Sequence, residues 1–202
     1  MSLSTEEKFE RMKDIRDHLL NFKKSPLYKY RIKNKYFPVV GEGSHNARIM
    51  FIGEAPGENE AKTARPFCGK SGKVLDEMLE SVNLNRSDVY ITNIVKDRPP
   101  ENRDPLPLEI KIYAPFLNEQ IDIIQPRVIA TLGRFSMIYV LDLLRCDTEI
   151  LSIGQMHGKE FVGQASFGLV TVVPLYHPAV ALYNGGNKGT LLEDFQVLKK
   201  YV

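Results

Sequence analysis

The stretch FIGEAPGENEAKTARPFCGKSG, residues 51–72, decides the fold. An apolar run from Ile49 to Ile52 stops abruptly at a Gly/Pro turn, and helical spacing sets in near Gly69. Val74, Leu75, Met78, Leu79 and Val82 then follow at i, i+1, i+4, i+5 and i+8, the spacing of one buried helix face. A short apolar strand, a tight turn and an amphipathic helix form a βα unit, and such units build mostly parallel sheets. A turn of this kind often receives a phosphate. This one instead carries Glu54, Glu58 and Glu60, three carboxylates within seven residues.

The same alternation extends outward. DVYITN (88–93) reads as a second strand, and RPPENRDPLP (98–107) breaks the chain with four prolines. Helical spacing returns from Leu108 to Ile124, with a kink expected at Pro115. RVIATLG (127–133) is a third strand, followed directly by the helix RFSMIYVLDLL. Residues 160–163 and 169–173 read as a hairpin or strand pair, the last strand ending at Pro174, and a closing helix spans about Thr190 to Tyr201. Near the N-terminus, Ser4-Thr5-Glu6-Glu7 fits a capping box, and Phe9, Met12, Ile15 and Leu19 follow at helical spacing. LYKYRIKNKYFPVVGEG (27–43) is a basic, aromatic linker without regular period. The expectation is an α/β fold with a mostly parallel sheet covered on both faces. Residues 1–24 are expected to form an N-terminal helical arm, with one domain over 25–202.

Composition narrows the function classes. The chain has 202 residues, with Lys+Arg 27 against Asp+Glu 25 and a net charge of +2, so any nucleic-acid surface must come from local clustering. Cys68 and Cys146 lie far apart, and His18, His45, His157 and His177 are scattered, which suggests neither a disulfide framework nor a metal site. No apolar stretch reaches the length of a membrane span and no signal peptide is visible, so a cytoplasmic protein, expected to be a monomer, is the plain reading.

Right-handed crossovers bring the turns after parallel strands to one sheet edge, where open α/β sheets bind ligands. The Glu54 turn, Asn93, Gly133 and His177 all fall there. Carboxylates repel phosphate but suit orienting a water or stabilising a cation, such as the oxocarbenium-like state of N-glycosidic cleavage. Glu58 reads more simply as a solvated loop charge. Phe67, in RPFCGKSG, is either a core plug or a platform for a flat base. Gly69 and Gly72 permit close approach to a helix start with free N–H groups. Asn93 is either a turn-former or a bidentate reader of a ligand edge, and uracil presents a matching acceptor and donor. His177, after GLVTVVPLY and before Pro178, is either structural or a donor to a departing anion. Lys96, Arg98 and Arg103, in KDRPPENR, are a solvated surface or contacts for a nucleic-acid backbone. Lys70 at the helix start, and Lys188 with the Gly185-Gly186 turn, offer similar contacts, while Leu182 and Tyr183 are candidates for a wedge behind an extruded base.

GEAPGENEAKTARPFCGKSGKVL, YITNIVKDRPPENR and LYHPAVAL together resemble the motifs of the family-four uracil-DNA glycosylases, and VVGEGSHNARIMFIGEAPG extends the likeness upstream. The resemblance runs from about Ser25 to Val202. It implies a three-layer α/β/α sandwich and hydrolysis of the uracil–deoxyribose bond in single- or double-stranded DNA. It also implies catalytic roles for Glu54, Glu60 and His177, with Gly53, Ala55, Phe67 and Asn93 around the base. That family usually holds a [4Fe–4S] cluster on four cysteines, but the matching positions here are Phe22, Ser25, Asp97 and Tyr113. None replaces a thiolate, so no metal and no cofactor is expected. Ala61, Ala64 and Tyr183 also stand where the family often has Asp, Gly and Arg. Two rival readings stay open: a catalytically inactive DNA- or lesion-binding member, and a flavodoxin-like binder of a small phosphate.

Overall fold

The computed structural model describes residues 3–183 and 186–202. In chain order the elements are α1 (Thr5–Leu20), α2 (Tyr28–Lys33), β1 (Glu42–Gly43), β2 (Ile49–Gly53), α3 (Glu58–Thr63), α4 (Lys70–Glu80) and β3 (Tyr90–Asn93). There follow α5 (Pro107–Ile124), β4 (Val128–Leu132), α6 (Arg134–Leu143), α7 (Ile153–Met156), β5 (Phe161–Ala165), β6 (Gly168–Leu175), α8 (Val180–Tyr183) and α9 (Asn187–Phe195). A 3-10 segment, Gln196–Tyr201, closes the chain.

The described residues form a six-stranded sheet in the order β1-β3-β2-β4-β6-β5. The four central strands are parallel, and β1 and β5 pair antiparallel at the two edges. Both faces are covered, which makes the expected α/β/α sandwich. The period-two geometry of β2 shows why: Met50 and Ile52 point into one apolar core while Ile49 and Phe51 point into the other. The first core is closed by α1, α5 and α6, the second by α4 and α9. All five strand residues of β2 and of β4 are buried, as expected for strands covered on both sides.

Several boundaries differ from the sequence reading. The capping box of α1 forms, with Glu7 N donating to Ser4 Oγ at 3.2 Å and Ser4 N donating to Glu7 Oε2 at 2.7 Å. The helix α1 packs onto the rest of the chain, with Met12, Ile15 and Leu19 buried in the same core as α5 and the sheet. Only Phe9 of that periodic set stays exposed. The linker holds α2 and the two-residue β1, and α5 runs from Pro107 to Ile124 with Pro115 inside it. The acidic turn itself contains a helical turn and a half, α3. No helix among the described residues is long and apolar enough to cross a membrane.

Candidate active site

The carboxyl ends of β2, β3, β4 and β6 lie side by side, and two glycines there clear the space between functional side chains. Gly53 is the register partner of Asn93. A Cβ on Gly53 would run into Asn93 Oδ1 and would lie 2.6 Å from Phe67 Cζ. Gly133, at φ 103°, plays the same part on the next strand, where a Cβ would collide with the Glu54 carboxylate and lie 3.4 Å from His177 Cβ. Glu54, Ala55, Glu60, Phe67, Asn93 and His177 consequently line one cavity of about 270 Å³, roofed by the loop carrying Pro99, Asn102 and Arg103. The structure thus brings six of the seven residues expected at the base and the scissile bond onto one cavity, and Gly53 lies buried beside them as the register partner of Asn93.

Each side chain is held differently. Glu54 accepts a long hydrogen bond, 3.4 Å from Phe135 N at the start of α6, and burial raises its carboxyl above the ordinary range. Glu60 Oε1 accepts from Cys68 N at 3.0 Å and Gly69 N at 2.9 Å. That carboxylate of the chain thus takes the two N–H groups just ahead of the first residue of α4. Asn93 is 2% exposed, and its Oδ1 has no hydrogen-bond partner among the described residues. His177 Nδ1 accepts from Ala179 N at 3.2 Å, which places the proton of the neutral ring on Nε2. Burial holds that ring down to a pKa of about 4, against a smaller upward pull from Glu60, so the ring is neutral at physiological pH.

Phe67 is 6% exposed, adopts φ 47°, and lies with its ring centroid 5.7 Å from that of His177. Its left-handed backbone is clamped by a residue the sequence reading missed. Arg86 donates to Pro66 O at 2.7 Å and to Phe67 O at 3.2 Å, while Asp76 holds the same guanidinium at 2.9 Å. No local signal marks Arg86, because its partners lie 19 and 20 residues earlier in the chain.

The expected backbone-binding cations fare unequally. Lys96 is fully buried, so it does not present its ammonium to a nucleic-acid strand; its Nζ reaches Thr92, Asn93 and Gln120 inside the protein. Arg98 is also buried and anchors the loop instead, donating to Asn102 Oδ1 at 2.7 Å and Tyr36 OH at 2.6 Å. Arg103 lines the cavity mouth and grips Glu109 at 2.6 and 2.9 Å. Lys70 is exposed at the first position of α4, and Lys188 is exposed and paired with Glu77 at 2.6 Å. Leu182 and Tyr183 are exposed on α8, Tyr183 at 90%. Gly185 lies outside the described residues.

Phe22, Ser25, Asp97 and Tyr113, the positions that the sequence resemblance sets against cluster cysteines, meet in one spot. Tyr113 OH lies 2.6 Å from Ser25 Oγ and donates to Asp97 Oδ2 at 2.5 Å. Arg31 donates to Asp97 Oδ1 at 3.1 Å and to Leu19 O and Leu20 O at 2.8 Å. The Phe22 ring packs edge-on against Tyr113, with centroids 5.8 Å apart. These donors do not fit an iron–sulfur cluster. Two hydroxyls, a carboxylate and a phenyl ring supply no thiolate, the polar groups are bound to one another, and burial drives the Tyr113 phenol further from ionisation.

Comparison with known proteins agrees with this architecture. The uracil DNA glycosylase superfamily pattern matches residues 40–199. The type-4 uracil-DNA glycosylase of Sulfurisphaera tokodaii is 43% identical over 94% of this chain and 84% of its own length. The corresponding proteins of Saccharolobus solfataricus and Archaeoglobus fulgidus are 45% and 40% identical, covering 92% and 93% of this chain and 84% and 91% of the relatives. With a shared pattern along most of its length, the chain belongs to the uracil DNA glycosylase superfamily and, within it, to the type-4 uracil-DNA glycosylases.

Proposed function

We propose that this protein is a DNA-repair hydrolase that removes uracil from DNA, leaving an abasic site. One observation carries the reading. The unpartnered Oδ1 of Asn93, the Phe67 ring and the Glu54 carboxylate open on a single cavity at the sheet edge. A uracil swung out of the strand stacks on Phe67, and Asn93 accepts its N3–H and donates to its O4. Water attacks C1′ while the bond from C1′ to N1 breaks, and the bonding pair leaves with the base as an anion. Glu54 faces the positive charge building on the sugar and takes the proton of the attacking water. His177, neutral with its proton on Nε2, donates to O2 of the departing base. Glu60 acts through the backbone, since its Oε1 fixes the main chain that follows Phe67. Tyr183 and Leu182 fill the gap left in the strand, and the exposed Lys70 and Lys188 touch its backbone.

The reading includes a protein that works without iron. The buried Ser25–Tyr113–Asp97–Arg31 network ties α1, α2, α5 and the loop after β3 together where four thiolates would otherwise do so. The test uses a uracil-containing oligonucleotide, with strand scission at the product site as readout and iron assayed in the same preparation. Release of uracil by iron-free protein is expected. Glu54→Gln, Asn93→Ala and His177→Ala should each slow it by about 10²–10⁴-fold while leaving the melting temperature nearly unchanged. Tight binding without release would instead mark an inactive lesion-binding member.

A further inference from the structure

Lys96 sits directly beneath Asn93, fully buried, and its Nζ meets three oxygens: Thr92 Oγ1 at 2.7 Å, the main-chain carbonyl of Asn93 at 2.7 Å and Gln120 Oε1 at 2.5 Å. None of the three has a proton to give in return. The Thr92 hydroxyl donates its own to Val40 O at 2.6 Å. The Gln120 amide donates to Val40 O at 2.9 Å and Tyr90 OH at 3.1 Å, which turns its carbonyl toward the lysine. A neutral amine has two protons and a lone pair, and would set that lone pair against one of these acceptors. An ammonium has three protons and satisfies all of them.

Burial pulls Lys96 strongly toward its neutral form, and hydrogen bonds from the charged form to three acceptors oppose that pull. Among the described residues no carboxylate belongs to the network. The adjacent Asp97 is engaged by Arg31 at 3.1 Å and Tyr113 at 2.5 Å. An unpaired charge away from water is costly, and a core built only for stability does as well or better with an apolar side chain. The lysine nitrogen touches the main-chain carbonyl of Asn93, whose residue lines the cavity.

We propose that Lys96 is a positioning residue for base excision, an unbalanced buried ammonium that fixes Asn93 and favours the anionic base as it departs. The proposal rests on the glycosylase reading above. It makes one demand a structural lysine does not: the loss on removing the charge must depend on how much help the leaving base needs. 5-Fluorouracil leaves as a more stable anion than uracil and needs less.

Single-turnover excision is measured on oligonucleotides carrying either base, with the wild type, Lys96→Met and Gln120→Glu. The second variant keeps both the lysine and an acceptor for it, and adds a negative charge beside it. Lys96→Met should lose roughly 100-fold on uracil and roughly tenfold or less on 5-fluorouracil. Gln120→Glu should show the same inequality in weaker form, which keeps the proposal testable if Lys96→Met fails to fold. Equal losses on the two bases in Gln120→Glu, or none, would overturn it. A wild type that releases neither base is a different result and would remove the glycosylase reading together with this proposal.

Discussion

Glu60 accepts two main-chain hydrogen bonds, from Cys68 and Gly69, whereas Glu54 is held by weaker main-chain contact at the start of α6 and is pushed toward its neutral form by burial. The two carboxylates stand in one acidic turn and differ because only one of them closes a loop. The raised pKa of Glu54 suits it to accept a proton. His177 gives this scale its pH signature. The unfolded ring protonates near 6.5 and the folded ring only near 4. Between those values the unfolded chain binds more protons, so this contribution to stability is complete above pH 6.5 and is lost as pH falls toward 4. Glu54 runs in the opposite sense, because a raised folded pKa favours the folded state once the carboxyl protonates. In urea titrations the wild type should lose roughly 1–3 kcal/mol more than His177→Asn between pH 7 and pH 4.5. Ala64 carries a separate cost: it ends α3 at φ 58°, a conformation that disfavours a Cβ. Ala64→Gly should stabilise the protein by about 0.5–1 kcal/mol in the same titration, with excision unchanged.

The element that organises the site is the segment from β2 to α4. Its strand and its second helix are legible because apolar residues repeat with periods of two and 3.6, whereas α3, in ENEAKT, buries Ala61 alone and shows no apolar stripe. The loop after β3 was harder to read. KDRPPENR looks like a solvated basic surface, yet Lys96, Asp97 and Arg98 are all buried. Each turns inward to a different partner: Lys96 to Gln120 on α5, Asp97 to Arg31 on α2, and Arg98 to Tyr36 beyond α2. That loop therefore fastens both the roof of the cavity and the N-terminal helices. Tyr113→Phe removes the proton that Asp97 Oδ2 accepts and the hydroxyl beside Ser25. It should cost about 1–3 kcal/mol of folding free energy, because it strands buried polar groups rather than exposing them. Excision by the folded fraction should be unaffected; a variant as stable as the wild type would show that this network does not replace the cluster.

At the scale of the molecule, two apolar cores flank one sheet, and the cavity lies where its parallel strands end. The α/β class, five of the six strands in their order along the chain, the buried face of α4 and the sheet-edge residues Glu54, Asn93 and His177 were all readable beforehand. They follow from local periodicity and from the rule that crossovers have one hand. The packing of α1 into the main core was not readable, since an amphipathic helix shows that it has a partner and not which one. The same holds for Arg86 behind Phe67 and for the meeting of Ser25 with Tyr113 across 88 residues. The amino-acid sequence by itself determined which side chains the chain owns and which edge of the sheet they reach, because both are set by neighbours a few residues away. Only the tertiary structure decided which charges face solvent and which are locked inside, because burial and hydrogen-bond partnership are fixed by segments far apart in the chain.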